Sequence, residues 1–105
     1  MEQPKVSVVL VNFRGVDDTL NAIKSIKENN YPKNLIEIVV VDNASGDDSV
    51  TKLKALKNEI KLIESEINLG FAGGVNLGVK NSEGTIVGLL NNDAICDANW
   101  IDRKS

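Results

Sequence analysis

Two largely apolar runs, each ending on polar side chains, constrain the fold of this chain most. The first run covers residues 36–41 and leads into Asp42, and the second covers residues 86–90 and leads to Asp93. Runs rich in β-branched residues are typical of strands buried on both faces, which occur in parallel sheets flanked by helices. Ligands of such sheets bind beyond the carboxyl ends of the strands. We therefore predict a site for a polar ligand or metal at Asp42 and Asp93.

The composition excludes several classes of function. The chain has 105 residues, which predicts one domain over residues 1–105, and its net charge of -3 comes without a cluster of Lys and Arg. Nucleic-acid binding is therefore not expected. The sequence has no His and one cysteine, Cys96, so a zinc site with His ligands, a Ser-His-Asp triad and an internal disulfide are excluded within it. With neither a secretory leader nor a spanning apolar stretch, we expect no membrane insertion and a cytoplasmic location.

The apolar pattern predicts strands that alternate with helices. Strands are predicted at residues 5–11, 35–41, 61–64 and 85–90. The first helix carries one apolar stripe formed by Val16, Leu20, Ile23 and Ile26 and ends before the turn at residues 29–32. Ser45 and Asp48 resemble a capping box that opens a second helix, striped by Val50, Leu53 and Leu56. This alternation predicts right-handed crossovers and one parallel sheet.

A glycine-dense stretch at residues 68–78 is predicted as a loop that passes into a weak helix. It does not match a dinucleotide-binding fingerprint, which needs three spaced glycines after the first strand, where only Gly15 is found. A P-loop is excluded because no Gly-Lys-Ser/Thr follows. Two interpretations stay open: the glycines let a helix pack closely on the sheet, or they let a sugar ring approach the backbone.

Four segments together resemble one enzyme family. They are residues 6–13 (VSVVLVNF), 40–45 (VVDNAS), 68–76 (NLGFAGGVN) and 89–93 (LLNND). In this order they are similar to the N-terminal half of a family 2, GT-A-fold glycosyltransferase of the rhamnosyltransferase type, over about residues 4–101. The resemblance implies a three-layer α/β/α sandwich, a Rossmann-like half domain whose mainly parallel sheet has the order 3-2-1-4. It also implies metal-assisted, inverting transfer of a sugar to an acceptor hydroxyl, in polysaccharide or glycoconjugate synthesis.

The resemblance also assigns roles to residues. Phe13 aligns with the aromatic that stacks on the nucleotide base, Asp42 with the acid that hydrogen-bonds the base, and Asp93 with the metal-binding acid. Further nucleotide contacts are expected from Asn43, Asn76 and Asn92, and the loop for sugar and diphosphate contains Asn68, Gly70, Gly73 and Gly74. The donor is expected to be linked to UDP or dTDP and to bind together with Mn²⁺ or Mg²⁺.

The chemistry of these side chains is consistent with the assigned roles. An aromatic face stacks on any base, a carboxylate is a pure acceptor, and hard cations prefer oxygen ligands. Because Asn91 and Asn92 precede Asp93, it is the sole charged ligand of its motif, so metal binding without nucleotide should be weak. The other interpretations are that Phe13 and Trp100 are packing residues, that Cys96 is inert, and that Arg14 is either solvated or bound to phosphate.

The family's general base lies in a second half that this sequence does not contain, so no catalytic residue is assigned here. The end of the sequence looks like the beginning of a helix cut short, and we expect a truncated domain without transfer activity. A stand-alone nucleotide-binding module is the first alternative. A response-regulator-like domain fits poorly, because Asn12 and Phe13, and Glu64 and Ser65, stand where its acids belong. Residues 85–90 would form an uncharged edge strand that is expected to cause self-association.

Overall fold

A computed structural model describes residues 3–104, which form one four-stranded sheet and its flanking helices. The elements in chain order are β1 (Val6–Asn12), α1 (Val16–Lys27), a 3-10 turn (Lys33–Leu35), β2 (Ile36–Asn43), α2 (Ser49–Lys54), β3 (Lys61–Ser65), α3 (Gly70–Lys80), β4 (Ile86–Leu89) and α4 (Trp100–Lys104). All paired strands are parallel, and their order is β3-β2-β1-β4. The predicted fold class and strand order are therefore confirmed.

The two faces of the sheet are covered unequally. On one face, alternate residues of β1 pack with side chains of α1, α2 and α4 in a single apolar core, which includes Leu10, Ile23, Leu53 and Ile101. The other face, which carries Ser7, Val9 and Val11 of β1, packs against α3. This arrangement is the three-layer sandwich that the family resemblance implied, built on the parallel sheet that the alternating pattern predicted.

Glycines let α3 lie close to the sheet. A Cβ atom on Gly74 would stand 2.9 Å from Cγ1 of Val11, and one on Gly78 would stand 2.5 Å from Cγ1 of Val9. The interpretation that the glycines permit close packing is thus correct for these two positions. The helix also begins earlier than expected, at Gly70, so that most of the predicted loop is helical.

The capping box predicted before α2 is wrong. Asp48 is the N-cap residue and forms no side-chain cap bond, whereas the Ser45 hydroxyl donates to Oδ1 of Asp42 at 2.7 Å. Asp42 is buried, and a buried carboxyl group without partners is costly, so it takes the hydroxyl that would otherwise cap an exposed helix end. The helix that results is short, with six residues.

A second polar cluster ties the amino-terminal part of the sheet together. The carboxylate of Glu37 accepts hydrogen bonds from Oγ of Ser7 at 2.7 Å and from the amide of Glu83 at 2.8 Å, and Nζ of Lys61 lies 3.2 Å away. Burial by itself would raise the pKa of Glu37, but these partners outweigh it and hold the pKa below its ordinary value. The cluster joins β1, β2 and β3 to the segment before β4.

The chain after β4 returns to α1 without extending the sheet. Nδ2 of Asn29 donates to the carbonyl of Asp97 at 2.9 Å, and the amide of Asn30 donates to that of Ala98 at 2.8 Å. Trp100 packs against Gly88, as expected of a packing residue, and Cys96 is buried. Within residues 3–104, β4 pairs with β1 alone and is therefore an edge strand.

In the part of the chain that the structure describes, no helix combines the length and the apolar character needed to cross a bilayer.

Candidate functional site

A cavity of about 310 Å³ opens where the carboxyl ends of β1 and β2 meet the start of α3. Its lining residues are Val11, Phe13, Asn43, Asn68, Gly70, Phe71 and Asn92. The volume is within the range of small-molecule sites. Five of the residues proposed from the sequence thus surround one cavity: Phe13, Asn43, Asn68, Gly70 and Asn92.

Phe13 is an exposed aromatic residue at the end of β1, not a core residue. Its side chain is 43% exposed, and the guanidinium carbon of Arg14 lies 5.0 Å from the centroid of its ring. Arg14 is itself fixed, because its backbone amide and its Nε donate to the hydroxyl and the carbonyl of Ser45, both at 2.9 Å. A cation held over an aromatic ring is attracted to it. The ring of Phe13 is therefore supported in an exposed position.

Asp42 lies behind the cavity rather than in its wall. Its side chain is 2% exposed. Oδ1 accepts from Nδ2 of Asn12 at 2.9 Å and from the Ser45 hydroxyl at 2.7 Å, and Oδ2 accepts from the Ser45 amide at 3.2 Å. The carboxyl group therefore joins the ends of β1 and β2 through hydrogen bonds that are satisfied within the protein.

Asn43, the next residue, belongs to the opposite face of the sheet and borders the cavity. Its Oδ1 accepts from the amide of Leu69 and its Nδ2 donates to the carbonyl of Gly70, both at 2.9 Å. These two bonds fix the beginning of α3 against the end of β2. An asparagine can do this because its amide both donates and accepts.

Asn92 is connected to the buried polar group through a side chain that the sequence analysis missed. Nδ2 of Asn92 donates to Oγ1 of Thr19 at 3.2 Å, and this hydroxyl donates to Oδ1 of Asn12 at 2.6 Å. Thr19 is fully buried in α1. Thr19 is not part of the apolar stripe predicted for this helix, and nothing in its spacing indicated a polar partner.

The glycine-rich stretch divides into two parts. Gly70 borders the cavity in the left-handed region, at φ 73°, where an added side chain would be strained, and Oδ1 of Asn68 accepts its amide proton at 2.8 Å. Gly73 and Gly74 face Leu69 and Val11, and an added Cβ would approach these side chains to 2.7 Å and 2.9 Å. Neither of them lines the cavity, and nor does exposed Asn76.

Asp93 is exposed and follows Asn92 at the rim of the cavity. No group of three or more acidic, His or Cys side chains that could hold a metal ion exists among residues 3–104. This donor set fits a Mg²⁺-like ion that is bound through one carboxylate together with substrate phosphates, and it does not fit a site made of protein ligands alone.

Two exposed acids near Arg14, Asp17 and Asp48, are partly neutralised by Lys52. Nζ of Lys52 lies 3.4 Å from Asp48 and 3.7 Å from Asp17. The attraction of Asp48, followed by that of Asp17, raises the pKa of Lys52. These exposed acids are therefore engaged with a lysine and lie apart from the cavity that Phe13 borders.

Comparison with known proteins identifies the family. The model of glycosyl transferase family 2 matches residues 7–103. The chain belongs to this family. An uncharacterized glycosyltransferase of Mycobacterium tuberculosis is 30% identical over 87 residues, covering 83% of this chain and 33% of the relative. Glycosyltransferase AglE of Haloferax volcanii is 23% identical over 103 residues, covering 95% of this chain and 34% of AglE.

Solved structures share the fold. A mannosyltransferase from Pyrobaculum calidifontis, in complex with GDP-Man and Mn²⁺, superposes with a TM-score of 0.85 at 24% identity, covering 94% of this chain and 30% of that one. TarS from S. aureus, residues 1–349, gives 0.84 at 24% identity, with the same two coverages of 94% and 30%. The fold is that of GT-A glycosyltransferases. The family match confirms the resemblance to glycosyl transferase family 2 but not its rhamnosyltransferase type. The chain spans about a third of the two curated relatives named above.

Proposed function

We propose that residues 1–105 are the nucleotide-sugar-binding domain of a cytoplasmic, metal-assisted, inverting glycosyltransferase. Its product would be a polysaccharide or glycoconjugate, formed when the sugar passes to an acceptor hydroxyl. The observation that carries the proposal is the cavity at the carboxyl ends of β1 and β2, which joins an exposed, supported aromatic ring to the glycine-containing start of α3. In a parallel α/β sheet this edge is where ligands bind.

The proposed donor is a sugar linked to UDP or dTDP. Phe13 supplies a face on which a base can stack. Asn43 is 2% exposed, and both ends of its amide are bonded to the start of α3, so it fixes the wall of the cavity beside the base. Solved TarS structures contain UDP and UDP-GlcNAc, which supports a nucleotide-linked sugar as the ligand class.

Asp93 is the proposed protein ligand of Mn²⁺ or Mg²⁺, bound together with the diphosphate. A bound divalent ion supplies positive charge that stabilises a departing diphosphate. Asp93 is exposed and directly follows Asn92, which lines the cavity. Since one carboxylate binds such an ion weakly, the metal should bind appreciably only when the nucleotide is present.

Binding without transfer is the activity we expect from this chain alone. The residues that line the cavity include no carboxylate, so the cavity wall offers no acid that could serve as general base for an acceptor hydroxyl. We therefore expect the isolated chain to act as the alternative, a nucleotide-binding module. The response-regulator alternative does not apply to a member of this family.

Nucleotide titrations of paired variants test the proposal. We expect UDP or dTDP to bind more tightly than GDP or ADP and to bind more tightly still with Mn²⁺. Phe13→Ala should weaken binding by roughly 1–3 kcal/mol, the range for one stacked base, and Asp93→Ala should remove most of the gain from metal. Both side chains are exposed, so the variants should fold.

The matched controls are Ile95→Ala, a truncation of another exposed apolar side chain, and Glu28→Gln, a charge removed at the far end of α1. Both should leave the titrations unchanged. The site assignment is wrong if Phe13→Ala and Asp93→Ala bind every nucleotide, with and without metal, as the controls do.

A further inference from the structure

A chain of hydrogen bonds runs from the rim of the cavity into the protein and ends at a buried carboxyl group. It begins at Asn92, next to Asp93, passes through the hydroxyl of Thr19 to Asn12, and ends on the carboxyl group of Asp42. The three distances, in this order, are 3.2, 2.6 and 2.9 Å. The members come from four different parts of the chain: the loop after β4, α1, β1 and β2.

Thr19 is the central member of this row of hydrogen bonds, and its burial holds it in place. Its side chain is fully buried. A threonine hydroxyl has one proton and two acceptor positions, and here it accepts from Asn92 while it donates to Asn12. Asn12 is also fully buried, so loss of the hydroxyl would leave its Oδ1 without this partner in a place that water reaches poorly.

The missing side chain of Gly15 leaves room for the same amide group. A Cβ atom on Gly15 would stand 3.0 Å from Nδ2 of Asn92. The Asn92 side chain is therefore enclosed between the residue that precedes α1 and the first full turn of that helix. The Thr19 hydroxyl and Gly15 thus both determine the position of Asn92. The next residue, Asp93, is the exposed acid of the proposed metal site.

We propose that Thr19 is a positioning residue that holds Asn92, and with it the Asp93 loop, in register with the ends of β1 and β2. The inference rests on the proposed function, because it makes the metal-dependent part of nucleotide binding depend on a buried hydroxyl that touches neither metal nor nucleotide. Thr19 acts through Asn92 and Asn12, and it has no contact with the cavity itself.

The test uses UDP with and without Mn²⁺, and the quantity compared is the ratio of the two affinities. Thr19→Val keeps the shape of the side chain and removes the hydroxyl. We expect it to lower the ratio roughly three- to tenfold, the effect of one hydrogen bond. Thr19→Ser should restore the ratio, and Gly15→Ala, which crowds the same amide, should lower it. Ser25→Ala, which removes a buried hydroxyl on the same helix that bonds to Ala22 and Cys96, should leave it unchanged.

A second measurement needs no ligand. The side-chain amide signals of Asn92 in a nitrogen-proton NMR spectrum should move toward free-asparagine positions in Thr19→Val and return in Thr19→Ser. Unchanged signals in Thr19→Val would overturn the inference, as would an unchanged affinity ratio or an equal loss in Ser25→Ala. If the wild-type chain binds no nucleotide at all, the proposed function fails, and the Asn92 signals alone decide whether Thr19 positions the loop.

Discussion

Asp42 and Asn43 are neighbours in sequence, yet their side chains belong to opposite faces of the sheet. Asp42 pairs in register with Asn12 and bonds to Ser45, while Asn43 bonds to the start of α3 and borders the cavity. Successive residues of a strand alternate between faces, and of these two only Asn43 lines the cavity of about 310 Å³. The structure therefore makes Asn43 the cavity-lining member of this pair.

Truncation of Asp42 should affect stability as well as binding. Asp42→Ala leaves Nδ2 of Asn12 and the Ser45 amide without their buried acceptor, and we expect a loss of about 2–4 kcal/mol in the free energy of unfolding. Urea unfolding measures it. Asp18→Ala, an exposed acid on α1, should change stability by less than about 0.5 kcal/mol. An Asp42→Ala protein as stable as Asp18→Ala would contradict the buried hydrogen-bond network.

The sequence could predict which segments meet at the site but not which of their side chains line the cavity. The sequence pattern predicted the strand ends and the aromatic residue before Arg14. The predicted residues that meet at one cavity are Phe13, Asn43, Asn68, Gly70 and Asn92. The burial of Asp42 and the bond of Thr19 depend on contacts between residues 30 and 7 positions apart. Apolar periodicity reports a side chain's face and carries no information on such partners.

At the scale of elements, α3 shows why propensity alone misplaced a helix boundary. Its sequence contains four glycines among 11 residues, GFAGGVNLGVK, and glycine disfavours a free helix by about 1 kcal/mol relative to alanine. Packing against Val9, Val11 and Val41 of the sheet compensates, because small residues allow a close approach. Tertiary contact therefore makes a helix of a segment that looks like a loop.

Gly78→Ala should destabilise the protein although alanine favours helices. The added Cβ would stand 2.5 Å from Cγ1 of Val9 and 3.2 Å from Cγ2 of Val41, both buried. Overpacking of this kind costs about 1–3 kcal/mol, which exceeds or offsets the gain in propensity. Asn76→Ala on the exposed side of the same helix should be neutral or slightly stabilising. Chemical denaturation measures the free energy of unfolding of both variants. A Gly78→Ala protein more stable than the wild type would refute the close packing.

The Glu37 cluster predicts a pH dependence of stability. The pKa of Glu37 is lowered in the folded protein, so its contribution is fully present above the unfolded pKa, about 4.3. It is lost as the pH falls through the lower folded pKa. The stability difference between wild type and Glu37→Gln should thus be larger at pH 6 than at pH 3. Exposed Glu66→Gln should show little pH dependence. An equal Glu37→Gln effect at both pH values would contradict this account.

At the scale of the whole molecule, β4 forms an apolar edge. Val87 and Leu89 are 40% and 43% exposed on the face that α3 leaves uncovered. Residues 94–101 pack against α1, and within residues 3–104 no strand pairs with the outer side of β4. An edge without charge or proline is prone to pair with another chain.

We expect the protein to self-associate through residues 85–90, as a dimer or as larger aggregates. Sedimentation at several concentrations should show an average mass that rises with protein concentration. The double variant Val87→Lys/Leu89→Lys should have a lower average mass at each concentration. Ile67→Lys removes another exposed apolar side chain, beside β3, the opposite edge strand, and should leave the mass unchanged. A monomer at high concentration, with rapid amide exchange along residues 85–90, would exclude this mode of association.

The central claim is that nucleotide diphosphate binds at the carboxyl edge of the sheet, and amide chemical-shift mapping with UDP and Mg²⁺ tests it most directly. We expect saturable shifts at residues 12–14, 43, 68–71 and 92–93. A competing cavity of about 360 Å³ lies at the opposite end of β2, lined by Lys27, Lys33, Ile36, Ile38, Asn58 and Glu59. Shifts centred on that cavity, or no saturable shifts at the carboxyl edge, would contradict the assignment.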